Sequence, residues 1–332
     1  GGTNWAPMTV SAFSLGSLSL GSNLFLSPLA GYTNLPFRRV GREVGEGIVY
    51  EPLKRPLTVY DLLRHTAGLT YGVFFRSPVK GLYLEAGVDR FDLSREVFLE
   101  RLAALPLRFQ PGETFEYGLA TDLLGHLLEA LAGRSLAELL EERLFRPLGM
   151  KDSGFQAKDP ARLAQPFPKD PETGHSLRLL PVETPPPRYA GGMGGVGTAA
   201  DYLAFLEALR LGRGALSPTM AGFMVQDHLG SLYPEALKRG PEYLPGPGYS
   251  FGLGVAVRVE PMGYSPGALG EWTWAGFGGT FFFVDPLQEI TALYLAQAPN
   301  LLSVLEPEKA RHSRLGARLQ HAFRTLVYLG LE

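Results

Sequence analysis

The sequence predicts an α/β fold of the α+β type, an antiparallel sheet flanked by helices. Three observations predict it. Helix signals crowd the first two thirds of the chain, strand-like runs follow, and a long apolar-periodic segment closes it. The strand-like runs follow one another through tight turns such as Asp285-Pro286, which suits an antiparallel meander.

The helices announce themselves by their starts. Thr58-Val59-Tyr60-Asp61 opens a short helix ending near His65, with Gly68 beyond it. Ser94 opens a second, carrying Phe98, Leu99, Leu102 and Leu105. Apolar residues recur at helical spacing from Leu119 to Leu131 and stop at Gly133. Ser135 and Glu138 have the form of a capping box, and Thr198-Ala199-Ala200-Asp201 starts a further helix in a similar way. Glu308–Leu329 reads as a long closing helix. The predicted strands are Phe251–Val259, Trp272–Ala275, Thr280–Val284 and Ile290–Ala296.

Bulk composition narrows the function. Lys+Arg number 31 against Asp+Glu 33, a formal net charge of -2, so no electrostatic footprint for nucleic acid is present. There are 0 cysteines, which removes disulfides, thiolate metal sites and cysteine nucleophiles together. The stretch Val10–Leu29 is too diluted by Ser and Gly to span a membrane, and it lacks the basic start of a secretory signal. The expectation is a soluble, cytoplasmic protein that needs neither metal nor cofactor.

Three zones follow one another: a Ser/Gly/Leu-rich leader over residues 1–23, a short β–α piece over 24–47, and one continuous α/β domain over 48–332. Within the last zone Tyr117 stands just before a predicted helix start, near the positive end of the helix dipole, which favours a phenolate and suits a general base. Ser77-Pro78-Val79-Lys80 is the chain's Ser-x-x-Lys, with Ser as cap and Pro at the first helical position. Gly248-Tyr249-Ser250-Phe251-Gly252 has the nucleophile-elbow spacing but enters a strand instead of a helix. Gly192-x-Gly194-x-x-Gly197 has dinucleotide spacing, but Pro185-Pro186-Pro187 before it is no strand, and a glycine-rich loop at the edge of a site is the better account.

Five segments then fall in one order: Leu57 to Gly72 with His65-Thr66-Ala67-Gly68-Leu69, Pro111 to Gly125 with Tyr117-Gly118-Leu119, Leu144 to Phe155, Gly191 to Tyr202, and Glu271 to Thr280 with Trp274-Ala275-Gly276. Together they resemble the β-lactamase and penicillin-binding-protein superfamily of serine hydrolases, nearest its class C-related esterases, from about Glu51 to Glu332. The resemblance implies an acyl-enzyme mechanism on a small-molecule ester or amide. It makes Tyr117 part of the base system and places Trp274, Gly276 and Phe277 along the substrate and oxyanion side, with the Phe277 N–H as an oxyanion donor. Tyr117-Gly118-Leu119 and Trp274 in these motifs imply an esterase-like pocket over a β-lactam-cleaving one.

The family's Ser-x-x-Lys lies well upstream of the His-Thr-Ala-Gly-Leu segment, whereas Ser77 and Lys80 follow it. In its place Leu24–Gly47, with Ser27-Pro28-Leu29-Ala30-Gly31, resembles the first strand and helix of the flavin-dependent tRNA-dihydrouridine synthases. That stretch alone cannot build their eight-fold barrel. The chain therefore reads as a hybrid whose domain is truncated or replaced at its N-terminal side. Ser77 with Lys80, and Ser27 without a lysine, are the candidate nucleophiles. The alternatives are a non-catalytic remnant or binding protein, a half needing a partner chain, and, remotely, a flavin-dependent tRNA-modifying enzyme. A sheet missing its first strands would expose an apolar face that favours self-association.

Overall fold

The computed structural model describes residues 13–15, 18–20, 39–44, 47–74, 76–170, 174–177, 180–262, 265–298 and 317–331. Two hairpins come first: β1 (Phe13–Leu15) with β2 (Leu18–Leu20), and β3 (Arg39–Val44) with β4 (Gly47–Pro52). The dihydrouridine-synthase resemblance implies a helix where β3 stands. The strand prevails because it pairs residue for residue with β4 and its Gly41 N–H reaches Leu107 O at 2.6 Å. The 47/48 division falls within this hairpin, and Ser27 lies outside the described residues.

Helices α1 (Val59–Leu63), α2 (Pro78–Ala86), α3 (Arg95–Ala104) and α5 (Leu136–Leu140) begin where their caps predict, and α4 (Ala120–Ala132) begins after Leu119 without a capping side chain. Thr58 and Ser135 both close full capping boxes, and Gly133 ends α4 with φ 63, a left-handed conformation that glycine adopts without penalty. Helices α1 to α4 share one core, built on Leu62, Val79, Tyr83, Phe98, Leu102 and Leu123. Helices α6 (Ala199–Arg210), α7 (Pro218–Met224) and α8 (Tyr233–Leu237) lead into the main sheet.

That sheet is a five-stranded antiparallel meander: β5 (Tyr249–Phe251), β6 (Ala256–Arg258), β7 (Trp272–Ala275), β8 (Phe281–Asp285) and β9 (Ile290–Tyr294). The single strand predicted over Phe251–Val259 is instead two strands and a turn. Gly254 takes φ 99 and Gly252 N–H bonds Val255 O at 2.7 Å, so the glycines fold the run back on itself. Every residue of β8 is buried because the sheet is covered on both faces. Phe282 and Val284 face Leu206 and Leu209 of α6, while Phe281 and Phe283 face the closing helix α9 (Ala317–Leu329). Arg324 of α9 ion-pairs with buried Glu271, and Tyr328 donates to Asp285 at 2.6 Å. Among the described residues no helix is long and apolar enough to cross a membrane.

Candidate active site

Tyr117 lies where two cores meet. Its ring packs against the helical core and against a second cluster of Phe115, Tyr243 and Phe251, and Trp274 joins that second cluster to the sheet–α6 core. The turn that carries Tyr117 is held by backbone threading. Segment 65–68 runs beside segment 108–116, with Glu116 N–H on His65 O and Gly112 N–H on Thr66 O, both at 2.8 Å. Gly118 is required next to Tyr117, since a Cβ there would come within 2.4 Å of Leu69 O.

His65 fastens this turn to α4. Its Nδ1 accepts the Gly118 N–H at 3.4 Å, so its Nε2–H donates to Thr121 Oγ1 at 3.2 Å. Burial drives the imidazole's pKa down to about 4, against a weaker upward pull from Glu116. A folded-state value below the unfolded 6.5 means that protonation opposes folding. Stability is complete above the unfolded value and falls as pH drops from 6.5 toward 4, by about 2 kcal/mol at about pH 5. Denaturant unfolding near neutrality and at about pH 5 checks this, and His65→Asn, which tolerates the site's φ of 55, is expected to lose that share of the slope.

The structure brings Tyr117 and Trp274 together, with ring centroids 5.0 Å apart. It corrects the phenolate expectation. Burial raises the Tyr117 pKa, and the hydrogen bonds from Trp274 and Tyr71 only partly offset it. The helix dipole acts through about 1 kcal/mol or less at such range, and burial outweighs it.

Gly276 and Phe277 lie in the β7–β8 turn. Gly276 N–H bonds Thr280 O at 2.8 Å, and a Cβ at Gly276 would sit 2.2 Å from Thr280 Oγ1. Phe277 is 49% exposed, and its ring meets Phe74 edge-on at 6.4 Å. Phe74 in turn meets Tyr71 at 5.8 Å, and Tyr71 meets Tyr117 at 5.5 Å. Trp274, Tyr117, Tyr71, Phe74 and Phe277 thus form a chain of aromatic contacts. Phe74 has φ 78, a strained conformation for a bulky residue and one that tends to mark functional loops.

Ser77 and Lys80 are engaged elsewhere. Ser77 Oγ accepts the Lys80 N–H at 3.2 Å as the cap of α2. The Lys80 amine is buried and paired with Glu116 at 3.1 Å. Glu116 also holds Arg108 at 3.1 Å, Arg239 and the Thr70 hydroxyl, and Glu242 bridges the two arginines. Burial alone would raise Glu116; the three cations overcome it and hold the carboxylate below its usual range. Burial pushes Lys80 down despite Glu116. Ser250 is buried in β5 and donates to Asp227, a strand-to-loop staple and not an elbow.

Sequence reasoning missed the layer behind Tyr117. The Tyr71 hydroxyl lies 3.5 Å from Asp122 Oδ2, and Asp122 pairs with Arg188 at 3.3 Å, all three side chains buried. The glycine-rich loop closes over this pair. A Cβ on Gly192 would meet Asp122 Oδ2 at 2.5 Å, and one on Gly191 would meet Thr121 O at 2.2 Å. Asp122 stands five positions after Tyr117, in the first turn of α4.

The sequence pattern of the family described as Beta-lactamase matches residues 42–313. Protein Rv1367c of Mycobacterium tuberculosis is 34% identical over 267 residues, covering 76% of this chain and 65% of that protein. Esterase EstB of Burkholderia gladioli is 34% identical over 266 residues, covering 74% of this chain and 65% of that protein. The chain thus spans about two thirds of the length of these relatives. Among solved structures, EstCE1, described as a hydrolase with promiscuous acyltransferase activity, superposes with a TM-score of 0.65 at 29% identity, over 89% of this chain and 78% of its own.

Proposed function

We propose an acyl-transfer function from one premise: the chain belongs to the beta-lactamase family. The reaction is hydrolysis of a small ester through an acyl-enzyme, with Tyr117 as part of the base system for the attacking hydroxyl and the Phe277 N–H as a donor to the oxyanion. The observation that carries this reading is the indole of Trp274 on the phenol of Tyr117, two motif residues 157 positions apart in sequence and 5.0 Å apart in space. The names of EstB and EstCE1 support the same chemistry. Half-exposed Phe277, with Phe74 and Trp274, gives the mouth an apolar lining that suits neutral esters with hydrophobic acyl groups.

A second reading rests on Lys80. With its amine held by Glu116, the chain's Ser-x-x-Lys supplies no base for Ser77, so the site binds esters without turning them over. One experiment separates the two. The protein is treated with a fluorophosphonate probe and, separately, with p-nitrophenyl butyrate. Hydrolysis predicts one adduct per chain, on a serine other than Ser77 and with Ser27 the first to inspect, together with a burst of p-nitrophenol. Ser77→Ala, which removes a helix cap worth about 1 kcal/mol, is expected to label as the parent does. No adduct and no burst, beside saturable quenching of tryptophan emission by a hydrophobic ester, is the outcome that binding alone requires.

A further inference from the structure

Tyr60 of α1 and His228 stand 168 positions apart in sequence and meet at the surface. His228 Nε2 lies 2.7 Å from Phe223 O. A carbonyl only accepts, so Nε2 carries the ring proton, and Nδ1 accepts the Tyr60 O–H at 2.9 Å. His228 is buried, and its ring stands edge-on to Phe223 with centroids 4.5 Å apart, which fixes the imidazole in this orientation. Tyr60 itself is 40% exposed. A hydroxyl within hydrogen-bond reach of a base, with the base aimed by a third group, is the arrangement of an activated nucleophile.

The groups around the pair favour the same chemistry. The Arg64 guanidinium lies 4.3 Å over the Tyr60 ring, where a fixed cation offsets negative charge that develops on the phenol during attack. Arg64 is held there by His228 O at 3.0 Å and by Asp61 at 3.5 Å. Asp61 is itself paired with Arg55 at 2.7 Å. Asp227, next to His228 in sequence, is engaged elsewhere: its Oδ1 accepts the Leu229 and Gly230 N–H groups and the Ser250 hydroxyl. Phe223, which flanks His228, and Met220, three positions before it on α7, are both exposed and form an apolar shelf.

We propose that Tyr60 is an acyl-acceptor nucleophile outside the Tyr117 site, with His228 as its base and activated derivatives of small apolar acids as its substrates. The Tyr60 oxygen attacks the acyl carbon while its proton passes to His228 Nδ1. The bond from that carbon to the leaving group then breaks, the leaving group takes the proton from His228, and an aryl ester of Tyr60 remains. This reaction uses neither Tyr117 nor a serine, so it stands or falls apart from the acyl-enzyme reading.

The test uses N-acetylimidazole, which transfers acetyl groups to tyrosine phenols, on the whole chain. Peptide mass mapping over time gives the rates at Tyr60, Tyr50 and Tyr202 in one sample. Tyr50 is 47% and Tyr202 37% exposed, and among the described residues only the Tyr60 hydroxyl of these three rests on a histidine. Tyr60 is expected to react about 10²-fold faster than the other two, the lower end of what a positioned base contributes. His228→Gln keeps a polar side chain, removes the base, and is expected to bring Tyr60 down to their rate. A purely structural hydrogen bond predicts the opposite order, because a phenol tied to a neighbour is less free to react than Tyr50 or Tyr202. A Tyr60 rate no higher than theirs in the parent, or one that His228→Gln leaves high, overturns the proposal. Should His228→Gln fail to fold, the order of the three tyrosines in the parent decides alone. Acetyl on Tyr60 and an adduct on a serine are told apart by the residue that carries the added mass, so the two reactions are scored separately.

Discussion

Replacing Glu116 by glutamine is expected to cost about 3–5 kcal/mol of folding stability. The substitution keeps the shape and an acceptor for the Thr70 hydroxyl, and removes only the charge. That charge is the centre of the cluster. Lys80, Arg108 and Arg239 all point at Glu116, and Glu242 alone cannot neutralise three cations. Lys80 is the most exposed to the loss, being buried with its amine on Glu116 Oε1. Denaturant titration reads the cost directly. Adding Lys80→Met to Glu116→Gln is expected to recover part of it, since two neutral side chains carry less desolvation penalty than one stranded charge. The sign with pH is also fixed. A carboxylate held below its unfolded value of 4.5 stabilises fully above that value and loses its contribution as pH falls through the folded one.

Tyr117→Phe is expected to lower kcat/KM for ester hydrolysis by about 10²–10⁴, the usual worth of a positioned acid–base group. The ring contacts to His65, Tyr71 and Trp274 survive in phenylalanine, so the scaffold stays in place. What is lost is one oxygen, the phenol that the mechanism uses. Burst amplitude and steady-state rate with p-nitrophenyl butyrate measure the effect. A rate within a few-fold of the parent's would remove Tyr117 from the mechanism.

Much of the scaffold was readable in advance because its signals are local. A helix start needs only a Ser or Thr and the residue three places on, and Thr58, Ser94, Ser135 and Thr198 all cap as expected. The β7 strand and its Trp274 fell where alternation and aromatic content put them. The Phe251–Val259 run misled because its hydrophobicity continues through the glycines that turn the chain. The site was readable only where motif residues carried it. Lys80 meets Glu116 across 36 positions, and Arg188 meets Asp122 across 66, and neither pairing leaves a trace in nearby residues. The ionisation of Tyr117 was misread for the same reason: the helix start is visible in sequence, and the burial that outweighs it is not.

The chain of aromatic contacts through Tyr117 gives the molecule a built-in optical reporter. Trp272 and Trp274 lie two residues apart on one strand but in different surroundings. Trp272 is sealed between the sheet and α6, while Trp274 packs on the ring of Tyr117 and ends the chain of aromatic contacts that half-exposed Phe277 begins. A ligand that displaces Phe277 from Phe74 changes the polarity around one of these two indoles and leaves the other untouched. Occupancy of the pocket is then written into the colour and quenching of the chain's own emission, with no label attached.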